Sequence, residues 1–150
     1  MFRLNFTGRV ACTALLAVVV GTATGCWQSR PFDFVPVSGK VTYEDGSLIS
    51  AARIDVTFEP QTPPLDPKTY PPQGLASVNV ETGEFELVTS RSYGDGIVPG
   101  EHKVVIQTYT EQGTPAYLVP PEYTSVADTP IVVDAADAPF TFAVPKPRGR

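Results

Sequence analysis

From Val35 onward the chain alternates. In VPVSGKVTYE (35–44), Val35, Val37, Val41 and Tyr43 share one parity, and Lys40, Thr42 and Glu44 the other. That is the period-two pattern of a strand with one solvated face. Asp45-Gly46 supplies a turn. ARIDVTFEP (52–60) repeats the pattern, with Ile54, Val56 and Phe58 inward, Arg53, Asp55, Thr57 and Glu59 outward, and Pro60 as terminator. GLASVNV (74–80), ETGE and FELVTS (85–90) predict a β-hairpin in which Gly83 takes positive φ. In its second arm Phe85 and Leu87 face the core, and Glu84 and Glu86 face solvent. YGDGIVPGEHKVVIQTY (93–109) is a glycine-rich approach to a strong strand, with His102, Val104 and Ile106 on one side and Lys103, Val105 and Gln107 on the other. Val105 makes both faces partly apolar, as in a central strand. PIVVDA (130–135) and FTFAV (140–144) complete the set, with Phe140, Phe142 and Val144 inward. About seven short strands separated by turns predict an all-β sandwich over residues 35–145, without an internal repeat or a second domain.

Two segments break the alternation. QTPPLDPKTYPP (61–72) is a long proline-rich loop, either a partner-facing insertion or a plain surface excursion. PAYLVPPEYTSVADTP (115–130) is an irregular crossing that Tyr117 and Tyr123 are expected to pin to the sandwich. Sixteen prolines, about twice the usual share, leave no segment after residue 26 with a convincing helical repeat. PKPRGR closes the chain, and residues 146–150 read as a polar tail.

The first residues follow a different rule. MFRLNFTGR carries Arg3 and Arg9 and no acid, and an apolar run spans Val10 to Val20. This is the charged n-region and apolar h-region of a signal peptide. The run is shorter than the about 20 apolar residues of a membrane-crossing helix. Ala23, Thr24 and Gly25 then lead into Cys26. Small residues before a cysteine resemble the lipobox of bacterial lipoproteins, although Ala23 stands where leucine is usual. The resemblance implies a signal peptide over residues 1–25, lipidation of Cys26, and a short tether, CWQSRPFDF (26–34), in which Trp27 and Phe32 either pack on the domain or dip into the membrane interface. Each buried CH₂ of an acyl chain contributes about 0.8 kcal/mol, and several chains anchor stably. The competing expectations are a secreted protein cut near Ala23 and, behind it, an uncleaved anchor.

Removing Arg3 and Arg9 with that segment takes the net charge from −5 to −7 and leaves 125 residues, enough for one domain with a core. The remaining basic residues are scattered, which argues against a nucleic-acid partner and against a broad electrostatic grip on anionic lipid. Cys12 leaves with the signal segment. Cys26 is then the one cysteine left, so neither an intramolecular disulfide nor cysteine catalysis is expected.

VSGKVTYEDGSLISAARIDVTFEP (37–60) resembles the opening of carboxypeptidase regulatory-like domains, relatives of the transthyretin-like sandwich. ETGEFEL resembles that family's hairpin, with Gly83 and Phe85 in place. GIVPGEHKVVI resembles its Pro-Gly strand, with His102 where tyrosine is common. VPPEYTSVADTPIVVDA resembles a segment of small planctomycete lipoproteins. The likeness covers roughly residues 35 to 145. It implies an immunoglobulin-like or prealbumin-like sandwich in the cell envelope, and it implies no peptidase activity. None of transthyretin's hormone-binding residues carries over.

Catalytic chemistry is sparse in the sequence. His102 is the only histidine, and its inward parity marks it as a core residue. Ser90, Ser92 and Ser125 stand in no nucleophile context, G-x-S-x-G is absent, and YGDGIVPG is not a phosphate-binding loop. Glu81, Glu84, Glu86 and Asp95 are the acids to weigh for calcium, but they lack EF-hand spacing and read as a solvated face. No catalytic residue, cofactor or metal is expected. The expectation is a non-enzymatic, lipid-anchored envelope domain with a structural or protein-binding role, reaching its partner through an exposed strand edge. The alternative is a carrier of a small apolar ligand, or a glycan binder, in a transthyretin-like oligomer. A glycan platform needs exposed rings, and most of Tyr70, Tyr93, Tyr109, Tyr117 and Tyr123 stand where core or loop-pinning duty is expected, so a protein partner ranks ahead of a glycan.

Overall fold

The computed structural model describes residues 30–147. Seven strands form two sheets: β1 (Gly39–Tyr43), β2 (Arg53–Pro60), β3 (Gly74–Val78), β4 (Glu84–Phe85), β5 (Glu101–Tyr109), β6 (Val132–Asp134) and β7 (Phe140–Val144). One sheet runs β4-β1-β7 and the other β3-β2-β5-β6. The only helical pieces among the described residues are two short 3₁₀ turns, Pro121–Thr124 and Ala135–Asp137. No helix there is long and apolar enough to cross a membrane.

The inward parities meet between the sheets. Ile54, Val56 and Phe58 of β2 and Val104 and Ile106 of β5 are buried against Val41, Phe85, Phe140, Phe142 and Val144 of the other sheet. Phe58 is the centre of this core. Its ring lies 6.0 Å from Phe85, 5.7 Å from Phe140 and 6.2 Å from Phe142. These tilted contacts suit aromatic quadrupoles, and full burial of each ring contributes about 1.5–3 kcal/mol. β5 pairs with β2 over eight residues, from Arg53 beside Tyr109 to Pro60 beside His102, and with β6 on its other edge. Val105, on the outer face of β5, is also buried, as a central strand requires. β7 runs parallel to β1 from Gly39–Phe140 to Tyr43–Val144, so the last strand closes beside the first.

Three local expectations change. The first strand begins at Gly39, not Val35; Val35 instead exchanges backbone hydrogen bonds with Ile97 (2.8 and 3.0 Å). The predicted hairpin keeps antiparallel hydrogen bonds between its arms at Leu75–Thr89 and Asn79–Glu84, but it also turns a corner, because β3 joins the four-stranded sheet and β4 the three-stranded one. Gly83 makes that corner. Its φ is +75°, and a Cβ there would stand 2.7 Å from the Val41 carbonyl oxygen, so only glycine fits without a shift. In the crossing at 115–130, Tyr117 is 76 % exposed, with φ +51°, and pins nothing. Val119 is buried instead, and the Tyr43 hydroxyl donates to the Leu118 carbonyl at 2.8 Å, while Tyr123 packs partly buried against the core. Phe32 is buried in the domain. Cys26 and Trp27 lie outside the described residues.

Candidate functional site

His102 is fully buried, at the inward parity of β5. Its Nδ1 lies 2.9 Å from the Gly100 carbonyl oxygen, which fixes the proton on that nitrogen in the neutral ring. The ring meets Phe58 edge-on at 6.3 Å and 76°. Nε2 is buried without a hydrogen-bond partner among the described residues. Burial lowers the imidazole pKa, against the opposing pull of the Gly100 carbonyl and the charges of Asp134 and Glu59. A neutral imidazole sealed in an aromatic core has no route to a substrate.

The acids divide. The Asp95 carboxylate accepts backbone N–H groups from Ser90 (2.9 Å), Ser92 (2.9 Å) and Arg91 (3.2 Å). Burial pushes its pKa up, but those hydrogen bonds prevail and leave it lowered. Asp95 therefore holds the 90–96 turn. Glu84 forms an exposed 3.7 Å ion pair with Lys40, and Glu81 and Glu86 are exposed. Among the described residues no three of His, Cys, Asp and Glu come together as a metal site would require.

A groove of about 580 Å³ opens beside β3. It arises from a mismatch of one residue. Leu75 exchanges two backbone hydrogen bonds with Thr89 (2.9 and 2.8 Å), and four residues further on the Asn79 N–H donates to the Glu84 carbonyl (2.8 Å). Three residues, 76–78, thus face four, 85–88, as in a bulge. The surplus residue shifts the parity. Phe85 and Val88 are buried, and Leu87, expected inward, is 48 % exposed at the groove wall. Ser77 lies between Leu75 and Asn79 on the same outer edge, so its N–H and C=O point away from β2 into the opening. No backbone partner meets them among the described residues. Asn79, Glu86 and Tyr93 complete the lining that matters chemically.

Tyr93 is 85 % exposed and lines the groove from the turn that Asp95 holds; Tyr70 and Tyr117 are also exposed. The expectation that most tyrosines serve the core or pin loops is corrected for these three. Tyr109 and Tyr123 are half-buried, Tyr109 beneath the Arg53 guanidinium at 4.2 Å. The groove itself had no sequence signal, since a one-residue surplus leaves no mark on alternation. Comparisons of the chain with protein-family models, curated proteins and solved structures find no match.

Proposed function

We propose that the chain is a non-enzymatic binding domain of the cell envelope, lipid-anchored through Cys26 after loss of a signal peptide over residues 1–25, which presents the groove beside β3 to its partner. The observation that carries the reading is the groove, where exposed apolar side chains (Leu75, Leu87, Tyr93) adjoin a backbone N–H and C=O at Ser77 that have no backbone partner among the described residues. Concave surfaces with an apolar body and a few convergent polar groups are the usual form of a ligand site. The chain's two conspicuous titratable groups are already occupied: His102 packs the core and Asp95 caps a turn. Anchoring is supported by the small residues before Cys26 and the charged and apolar segments that precede them.

The carboxypeptidase regulatory-like resemblance belongs to the same proposal. The immunoglobulin order keeps the first two strands in one sheet. Here β1 and β2 lie in different sheets, which favours the prealbumin-like half of the expectation. A second reading, glycan rather than protein as partner, gains from the exposure of Tyr93.

The test is co-sedimentation of the Cys26→Ser chain with a washed bacterial envelope fraction that keeps its proteins and polysaccharides, beside the same chain carrying Tyr93→Ala. The proposal expects the first to pellet with the envelope and the second to remain in solution. If both stay in solution, or both pellet equally, the groove is not the binding surface.

A further inference from the structure

We infer that the groove beside β3 takes a neutral pyranose residue of a polysaccharide, with the sugar ring on Tyr93 and two adjacent hydroxyls on the Ser77 backbone. This rests on the binding-domain reading above and names its ligand. The shape of the opening decides between ligand classes. Strand addition by a peptide needs a run of alternate residues whose N–H and C=O stand free. Here the free run is one residue long. The Leu75–Thr89 hydrogen bonds close it on one side and the Asn79–Glu84 bond on the other. An extended peptide entering at Ser77 would collide with both closures after a single residue.

A compact ligand avoids that collision. Ser77 offers one donor and one acceptor side by side on a strand edge. A single secondary amide cannot meet both, because its N–H and C=O point in opposite directions. Two vicinal hydroxyls of a pyranose can, since they project to the same side about one hydrogen-bond length apart, and each can donate or accept. The C–H face of such a ring is apolar and matches the exposed ring of Tyr93, which lines the groove together with Leu75 and Leu87. Asn79 and Glu86 stand at the rim for further hydroxyls. Glu84 is paired with Lys40, which leaves Glu86 as the lining acid without an ion-pair partner among the described residues, and its charge disfavours uronic acids and phosphorylated sugars. Tyr93 and Ser77 are therefore assigned as ligand contacts, and Glu86 as the residue that selects against charge.

The experiment uses the full chain in detergent, labelled with ¹⁵N, titrated with neutral tetrasaccharides of glucose, mannose and xylose and with tetragalacturonate. Amide shifts report the site, and sugar chromatography of the same samples reports cleavage. At least one neutral tetrasaccharide is expected to move the Ser77 and Tyr93 amides. Tyr93→Ala is expected to weaken it about tenfold or more, and tetragalacturonate to bind about tenfold more weakly until Glu86→Gln narrows the gap. Tyr93→Phe is expected to retain binding, because the ring face and not the hydroxyl is used. The inference is overturned if no neutral sugar moves those amides, if tetragalacturonate binds best, or if Tyr93→Ala binds as well as the native chain. Binding with cleavage would uphold the ligand and overturn the non-enzymatic reading. Envelope co-sedimentation lost in Tyr93→Ala without any sugar response would overturn the ligand and leave the binding reading standing.

Discussion

Replacing His102 with phenylalanine isolates the cost of one buried nitrogen. Nε2 has no hydrogen-bond partner among the described residues, and an unsatisfied buried polar atom costs about 1–3 kcal/mol. Phenylalanine removes it. The substitution also deletes the Nδ1–H bond to the Gly100 carbonyl, worth about 0.5–1.5 kcal/mol. That carbonyl keeps a second donor, the Ala135 N–H at 3.0 Å, so it is not orphaned. The larger ring adds overpacking beside Phe58 of up to about 1.5 kcal/mol. These terms nearly cancel, and the variant should lie within about 1 kcal/mol of the parent at pH 7.5. At lower pH the two must diverge. Burial holds the folded His102 pKa below the unfolded value of about 6.5. As pH falls, the unfolded chain therefore takes up the proton first. The stability of the native chain is complete above about pH 6.5 and declines below it, by up to about 1.4 kcal/mol per pH unit, until the folded imidazole also protonates. Asp45, Asp66 and Asp95 have lowered pKa values and lose their contributions only below about pH 4. His102 is the only histidine, which leaves the window between to it. Urea unfolding followed by circular dichroism, at pH 7.5 and pH 5 on chains carrying Cys26→Ser, makes the comparison. A gap that opens in favour of His102→Phe at pH 5 supports the reasoning. Equal pH slopes, or a variant more than about 3 kcal/mol weaker at pH 7.5, would refute it.

Other substitutions test single features. Phe58→Ala should cost about 3–5 kcal/mol in the same unfolding assay, since it removes the ring on which three others converge. Gly83→Ala should cost at least about 1 kcal/mol, because its left-handed φ penalises a Cβ that would also press on the Val41 carbonyl. Tyr93→Ala should leave the unfolding midpoint unchanged, its ring being exposed, so any loss of binding is not a loss of fold. Asp95→Ala should raise amide hydrogen exchange at residues 90–92, whose N–H groups it holds, and weaken envelope binding by freeing the turn that carries Tyr93.

Strand existence and facing were legible because both depend on period-two alternation. Ile54, Val56, Phe58, His102, Val104, Ile106, Phe140, Phe142 and Val144 all face inward as their parity requires. The split of β3 and β4 between sheets was not legible. E-T-G-E with a positive-φ glycine serves a hairpin and a corner equally well, and only the pull of Phe85 toward Phe58 and Phe142 decides for the corner. Leu87 went wrong for a related reason, since alternation counted from Phe85 cannot register the surplus residue at 85–88. The same surplus makes the groove. Tyr117 and Tyr123 are alike in sequence context, and their opposite fates depend on which of them the crossing lays over the core. The candidate site was thus not legible in the sequence.

The central claim is that this sandwich works from a membrane surface, held there by Cys26. The most direct measurement is the intact mass and membrane partitioning of the native chain expressed in a bacterial host, beside Cys26→Ser. The account predicts a native form that begins at Cys26, carries diacylglyceryl mass and pellets with membranes, and a variant that does neither. Two soluble forms cut at the same place, with no added lipid mass, would contradict it.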